Sequence, residues 1–414
     1  MSWLFYSSEA PDDEAAKAKA RNEEIDKQLR RDRVSAKSET KMLLVGPSGS
    51  GKSTILNQMK LVHHGSYTDT EKDAHKATIF KIMIQSMRDI LEVLPKLNHT
   101  VQPHNEPHQA LILDAVPQQS APRRHSRTLN SSNNSSSSSS PSCEWESDLY
   151  LEDGFPPELT NALQQLWRDP AVQSALKRAP ELCATSEWND SAVYFLDAIG
   201  RIAEEGYRPS DQDVVRACMR TPGGRIKETT FGPPGAQYRL IDLDSQQQHL
   251  RKWLHFFDDI GVLVFVVSLA DYNRWDESDA SGRTNRLHEA IALFDIICNS
   301  EQFAETEVLL LFNKADLLTE SLAHTPLSVC FPEYTGEPSD VDAACDYICS
   351  GFITHNRSGT TRSLCVHYIC AVDVSPGQMD ALLNVFTRAV ENSRVQAHLN
   401  AFRRSVPSLC GGGL

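Results

Sequence analysis

The segment Gly46-Pro-Ser-Gly-Ser-Gly51-Lys52-Ser53 constrains this chain more than any other stretch of it. It satisfies Gly-x-x-x-x-Gly-Lys-Ser/Thr, in which glycines let backbone N–H groups turn inward around phosphate oxygens. The lysine reaches the outer phosphates, the Ser hydroxyl suits a Mg²⁺ ligand, and the following helix points its positive end at the anion. Such a loop needs a strand before it and a helix after it. Lys41-Met-Leu-Leu-Val45 is a short apolar run that predicts a buried strand, and Ile55 to Val62 carries helical spacing. Gly46, Gly49, Ser50, Gly51, Lys52, Ser53 and Thr54 are therefore candidate nucleotide-binding residues, with Ser53 also a candidate metal ligand.

Further along, short β-branched and aliphatic runs at Gln237–Ile241, Val262–Val267 and Val308–Phe312 alternate with helical stretches. This predicts an α/β fold with a mostly parallel sheet flanked by helices. Between the loop and these strands, helical patterns cover Glu71–Leu97, Glu158–Trp167, Ala171–Arg178, Ser191–Glu204 and Ser210–Arg216. The first puts Ile79, Ile82, Met83, Met87, Ile90, Leu91 and Leu94 on one face. An all-helical domain thus interrupts the α/β domain. Residues 98–154 include Ser131-Ser-Asn-Asn-Ser-Ser-Ser-Ser-Ser-Ser140, several prolines and few large apolar side chains, which predicts a disordered insertion. Residues 12–37 are charged and Ala-rich and read as an exposed helix, whose thin Ile25/Leu29 stripe leaves a solvated helix and a partner-bound one both open.

The base is indicated by Asn313-Lys-Ala-Asp316, directly after the run Val308–Phe312. A carboxylate there accepts from guanine N1–H and the exocyclic amine, an arrangement adenine does not offer. The stem of Lys314 can lie over a base face. Cys370-Ala371 follows another apolar run, Leu364–Ile369. The competing class is an adenine-specific P-loop kinase or ATPase. The net charge of −14 argues against general nucleic-acid binding. Ten cysteines without any Cys-x-x-Cys fit a reducing cytosol better than a zinc site or disulfide frame.

With these motifs, Lys52-Ser-Thr-Ile-Leu-Asn-Gln-Met-Lys60, Leu166-Trp-Arg-Asp-Pro170, Asn189-Asp-Ser-Ala192, Tyr194-Phe-Leu-Asp197, Asn285-Arg-Leu-His-Glu289 and Pro332-Glu-Tyr334 make residues 22–391 resemble a heterotrimeric G-protein α subunit. The resemblance implies a Ras-like P-loop NTPase domain with a six-stranded, mostly parallel sheet (38–66 and 219–414) and an inserted helical domain (67–218). It also implies an N-terminal helix (1–37) facing a βγ dimer. Other implied partners are a seven-helix receptor, a downstream effector and a GTPase-activating regulator, with no nucleic acid. GTP or GDP and Mg²⁺ are the implied ligands. By the same resemblance, Ser53 and Thr221 are the protein ligands to Mg²⁺, and Asp242 holds a metal-bound water. Val215 and Arg216 lie near the phosphates, and Ser245 stands where a glycine amide meets the γ-phosphate. Asn313, Lys314, Asp316 and Ala371 contact the base, the Ala371 amide reaching guanine O6. Asp190 pairs with Lys314, although Asn189-Asp190 also reads as a helix cap before Ser191.

The hydrolytic side departs from the family pattern. Gln246 matches the water-positioning glutamine and is the candidate catalytic residue. Cys218 stands where the family has an arginine that, in GTPases of this kind, is worth about 10³–10⁵ in rate. Ser48, Asp244 and Ser245 replace family glycines. Gln247, His249 and Leu250 replace switch II residues, and the third-switch region, Trp275–Arg283, is longer and lacks the family's acidic cluster next to Asn285. Slow or regulator-dependent hydrolysis is expected; the alternative is a non-hydrolysing, GTP-locked scaffold for βγ or effectors. Residue two is Ser2 and no Cys precedes Cys143, so no motif for N-myristoylation or N-terminal palmitoylation is present. The expected setting is cytoplasmic, with a peripheral place at the inner face of the plasma membrane the second option.

Overall fold

The computed structural model describes residues 19–28, 39–115, 155–183, 188–217, 226–232, 237–243, 259–278, 282–357 and 364–405. Eight strands are present among them: β1 Glu39–Val45, β2 Ile226–Phe231, β3 Gln237–Leu243, β4 Ile260–Ser268, β5 Trp275–Ser278, β6 Gly282–Asn285, β7 Glu307–Asn313 and β8 Leu364–Ile369. Six form one sheet in the order β2-β3-β1-β4-β7-β8. All its neighbours pair in parallel except β2, which runs antiparallel to β3 at one edge.

The central strands alternate between two buried layers, as the two-residue period of a strand requires. Leu43, Val45, Phe265, Val267, Leu310 and Phe312 face one layer with Leu287, Phe294, Ile348 and Phe352. Met42, Leu44, Val264, Val266, Leu309 and Leu311 face the other with Ile55, Met59, Leu382 and Phe386. Helices therefore cover both faces: Arg286–Cys298 and Val341–Thr354 on one side, Lys52–His64 and the long Pro376–Ser405 on the other. The strands β2 and β5–β6 were not foreseen. In β2 the burial pattern is broken by polar positions, as suits an edge strand. The β5–β6 hairpin occupies the stretch read from sequence as a switch loop.

A separate core is built by helices alone. Lys76–Val93 runs through its middle, and all seven positions of the apolar face read from sequence are buried. They pack with Leu159, Leu163, Leu166, Phe195 and Ile199. Each such side chain contributes roughly 1.5–3 kcal/mol relative to exposure. The stretch read as one helix over Ser191–Glu204 is two short ones, Ala192–Asp197 and Ile199–Ile202.

The disorder expected from residue 98 onward is corrected for its first part. A 3₁₀ turn at Pro103–Asn105 and a helix at Glu106–Asp114 lie there, with Val101 and Ile112 buried. The cause is a tie that composition does not reveal. Asp169 accepts hydrogen bonds from Gln102 N and Asn105 Nδ2, both at 2.8 Å, fixing the segment to the helical core. The Ser-rich residues 116–154 lie outside the described residues. Residues 19–28 are helical and exposed. Among the described residues no helix is long and apolar enough to cross a membrane.

Candidate functional site

The loop after β1 leaves the sheet where β1 lies between β3 and β4, so chain connections depart to both sides. Ligands of open α/β sheets bind at the carboxyl ends of strands at such a point. Gly46, Gly49 and Gly51 have φ of 139°, 78° and 103°. The conformations and the crowding both demand glycine. A Cβ on Gly46 would meet the Val266 carbonyl oxygen at 2.2 Å, and one on Gly51 would meet Asn313 Nδ2 at 2.1 Å. The helix Lys52–His64 begins with no side-chain cap and no acidic residue in its first turn. The first N–H groups of such a helix point out along its axis and favour an anion. Lys52 Nζ is held at the loop by the carbonyls of Gly46 (2.9 Å) and Pro47 (2.7 Å). Ser50 is fully buried, and Thr54 lies in the helix's first turn.

Ser53 Oγ donates to Asp242 Oδ2 at 2.7 Å. These residues are 189 apart in sequence and meet because β1 and β3 are neighbours, with Leu44 beside Asp242. Asp242 is 3% exposed, and its Oδ1 is buried without a hydrogen-bond partner among the described residues. A buried carboxylate oxygen without a donor, next to a Ser hydroxyl at a phosphate loop, is hard-oxygen chemistry that fits Mg²⁺. Thr221, the other expected metal ligand, lies outside the described residues. So do Cys218, Asp244, Ser245 and Gln246, and with them the hydrolytic half of the site. Ser48 is exposed, and its carbonyl accepts from Arg286 at 3.2 Å.

The base-side loops are knotted by Asn313 at the end of β7. Its Nδ2 donates to the Ser50 carbonyl at 2.8 Å, while its Oδ1 accepts from the amides of Lys314 (2.9 Å) and Ala371 (3.0 Å). One side chain thus joins the phosphate loop to both base loops. Asn313 and the Ala371 amide, both expected at the base from the family resemblance, bond each other in the structure. Asp316 is exposed in the first turn of the helix Ala315–Leu322. The neighbouring Cys370 thiol is pushed up to about 11 by burial and by the Asp316 charge.

Lys314 takes a left-handed backbone, φ 64°. Its Nζ reaches the Gly49 carbonyl (2.5 Å) and Asp190 Oδ2 (2.6 Å) of the helical body. Asp190 Oδ1 accepts from Arg274 at 2.5 Å. Burial alone would raise the Asp190 carboxyl, but the charges of Arg274 and Lys314 hold it well below the usual carboxylate range. The two readings of Asn189-Asp190 divide between the residues. Asn189 Oδ1 accepts the Ser191 amide at 2.9 Å in the turn that precedes the helix Ala192–Asp197, whose own cap position is Ser191, and Asp190 makes the ion pair. Val215 is buried, and the Arg216 guanidinium lies 4.5 Å from the centre of the Tyr194 ring. Gln212 Nε2 donates to the Val372 carbonyl at 2.6 Å, joining the helical body to the loop that carries Ala371.

Two residues went unnoticed in the sequence. Arg286 joins the Ser48 carbonyl to Asp276 on the β5–β6 hairpin, and Arg274 reaches across to Asp190. No local pattern marks either, because Ser48 and Asp190, the partners that tie them to the site, are distant in the chain.

A profile of the G-protein alpha subunit family matches residues 19–381. The chain is 41% identical to a guanine nucleotide-binding protein subunit alpha of Coprinellus congregatus, over 94% of this chain and 96% of that protein. It is 38% identical to the guanine nucleotide-binding protein alpha-1 subunit of Neurospora crassa, over 87% of this chain and 91% of that one. Glycine cradle, base loops, six-stranded sheet and helical body accord with these matches, and the chain belongs to the G-protein α-subunit family of guanine nucleotide-binding GTPases.

Proposed function

We propose that this chain is a Mg²⁺-dependent GTP/GDP switch whose own hydrolysis is slow and whose turnover depends on a regulator. The observation that carries the metal assignment is the Ser53–Asp242 contact, with Asp242 Oδ1 buried and unpartnered beneath the glycine cradle. In this reading the Gly46–Ser53 amides and Lys52 bind the phosphates, Ser53 and Thr221 ligate Mg²⁺, and Asp242 orients the metal's water. Bound there, Mg²⁺ would neutralise charge on the outer phosphate oxygens. Asp316 accepts from the guanine edge, the Lys314 stem covers the base, and Asn313 holds the three loops in register. Arg216 and Val215 approach the phosphates from the helical body, and Gln246 positions the attacking water near Ser245.

The expected slowness rests on Cys218, which cannot supply the charge of an arginine. The Ras-like part is assigned to 38–66 and 219–414, and the helical part to 67–218. The family implies a βγ dimer, a receptor and an effector as partners. The exposed helix at 19–28, where Ile25 is 48% exposed, supports a βγ-facing role.

Single-turnover hydrolysis by purified protein tests the reading. Labelled GTP should bind with Mg²⁺, resist competition by ATP and turn over slowly, yet faster than in Gln246→Leu. Restoring Cys218→Arg should raise the rate. A rate no faster than that of Gln246→Leu would sink the switch reading.

A further inference from the structure

Outside the expected nucleotide contacts, a set of polar bonds crosses the seam between the helical body and the loop after β4. We propose that Arg274 is a second clamp across this seam, a positioning residue that holds the helical body closed and slows release of guanine nucleotide. This rests on the nucleotide site proposed above, but the residue and its role are additional to it.

Arg274 follows the 3₁₀ turn Leu269–Asn273 and is 7% exposed. One end of its guanidinium donates to Asp271 three residues back, at 3.3 Å, which pins the side chain to its own loop. The other end donates to Asp190 across the seam, at 2.5 Å. A planar fork can serve two carboxylates at once, which a lysine ammonium does less well. The neighbouring bonds run the same way. Glu181 of the helical body accepts from Thr325 Oγ1 at 2.5 Å and from Asn273 Nδ2 at 3.5 Å. Asp190 is thus divided between two cations on two loops of the sheet body, Arg274 after β4 and Lys314 after β7.

The geometry connects this seam to ligand release. Lys314 Nζ also holds the Gly49 carbonyl, so the Asp190 contact bears on the phosphate loop through one side chain. A nucleotide seated on that loop, with its base against Lys314, lies beneath the Asp190 bridge. Moving the helical body away breaks both ion pairs together. Beside the Lys314–Asp190 pair and the bonds of Gln212 and Glu181 to uncharged partners, the second cation adds a charge-assisted bond to the closed form only.

Dissociation of fluorescent GDP from the full chain is the test, run after a binding titration shows that the wild type takes up GDP with Mg²⁺. Failure of that titration would count against the nucleotide-site reading itself. Arg274→Gln should release GDP about 10-fold or more faster, from the worth of a hydrogen bond to a charged group. In an Asp190→Asn background the same substitution should have much less effect, because its partner is already neutral. Arg274→Lys keeps a charge beside buried Asp271 and should give an intermediate rate, which serves if the glutamine variant does not fold. Release unchanged in Arg274→Gln and Arg274→Lys, or accelerated equally in both Asp190 backgrounds, would overturn the clamp.

Discussion

Replacing Asn313 by alanine removes a side chain that satisfies three backbone groups on three loops. The Ser50 carbonyl loses its 2.8 Å donor, and the Lys314 and Ala371 amides lose their acceptor at 2.9 and 3.0 Å. Asn313 is 3% exposed, so these groups face little water. Each buried group left unpaired costs about 1–3 kcal/mol. Water entering the space of the lost amide recovers part of that, leaving a net loss of about 3–5 kcal/mol. The glycine cradle is also released from the base loops, so GDP affinity should fall by about tenfold or more. Asn313→Asp restores an acceptor for the two amides but not the donor to Ser50. It should therefore recover stability more than affinity. Urea unfolding with and without GDP, beside a GDP titration, reads both quantities. An alanine variant within about 1 kcal/mol of wild type, with unchanged affinity, would refute the assignment of Asn313 as the knot of the site.

Two further outcomes are expected. Asp213 is fully buried and accepts from Arg201 (2.8 and 2.9 Å), Tyr194 (2.8 Å), Tyr207 (3.1 Å) and the Ser210 amide (2.8 Å). Burial opposes its ionisation, yet the Arg201 bonds and the Ser210 amide hold its carboxyl well below the usual carboxylate range. Its folded value is depressed, so this stability is present above the ordinary carboxylate value and lost as pH falls below it. Asp213→Asn should destabilise the helical body by about 2–4 kcal/mol at pH 7 and flatten its acid limb, and an unchanged acid limb in thermal melts would count against this. Burial pushes the Cys183 and Cys330 thiols up to about 12, so both should resist iodoacetamide at pH 8 in the folded protein; labelling as fast as in urea would contradict their placement.

The features legible in the sequence were those set by local rules. A phosphate loop depends on glycines at positive φ within eight residues, and its strand and helix are immediate neighbours. The apolar face of Lys76–Val93 follows from helical period alone, and its six predicted positions are buried, as is Leu94 just beyond its end. Composition was less reliable: it marked residues from 98 onward as disordered, whereas Asp169, 67 residues after Gln102, ties that segment down. Strand β2 escaped notice because an edge strand buries too little to show an apolar run.

The sequence by itself determined that this chain holds a phosphate loop, a guanine-type base loop and an interrupted α/β body, since each is written in short-range spacing and glycine conformation. Only the tertiary structure decided which side chains meet. Ser53 reaches Asp242 across 189 residues because β1 lies beside β3. Asn313 turned out to knot loops together, and Asp190 acquired a second cation in Arg274. Those contacts depend on strand order and on how the helical body docks, quantities no local stretch encodes, because each arises only when segments far apart in the chain pack against one another.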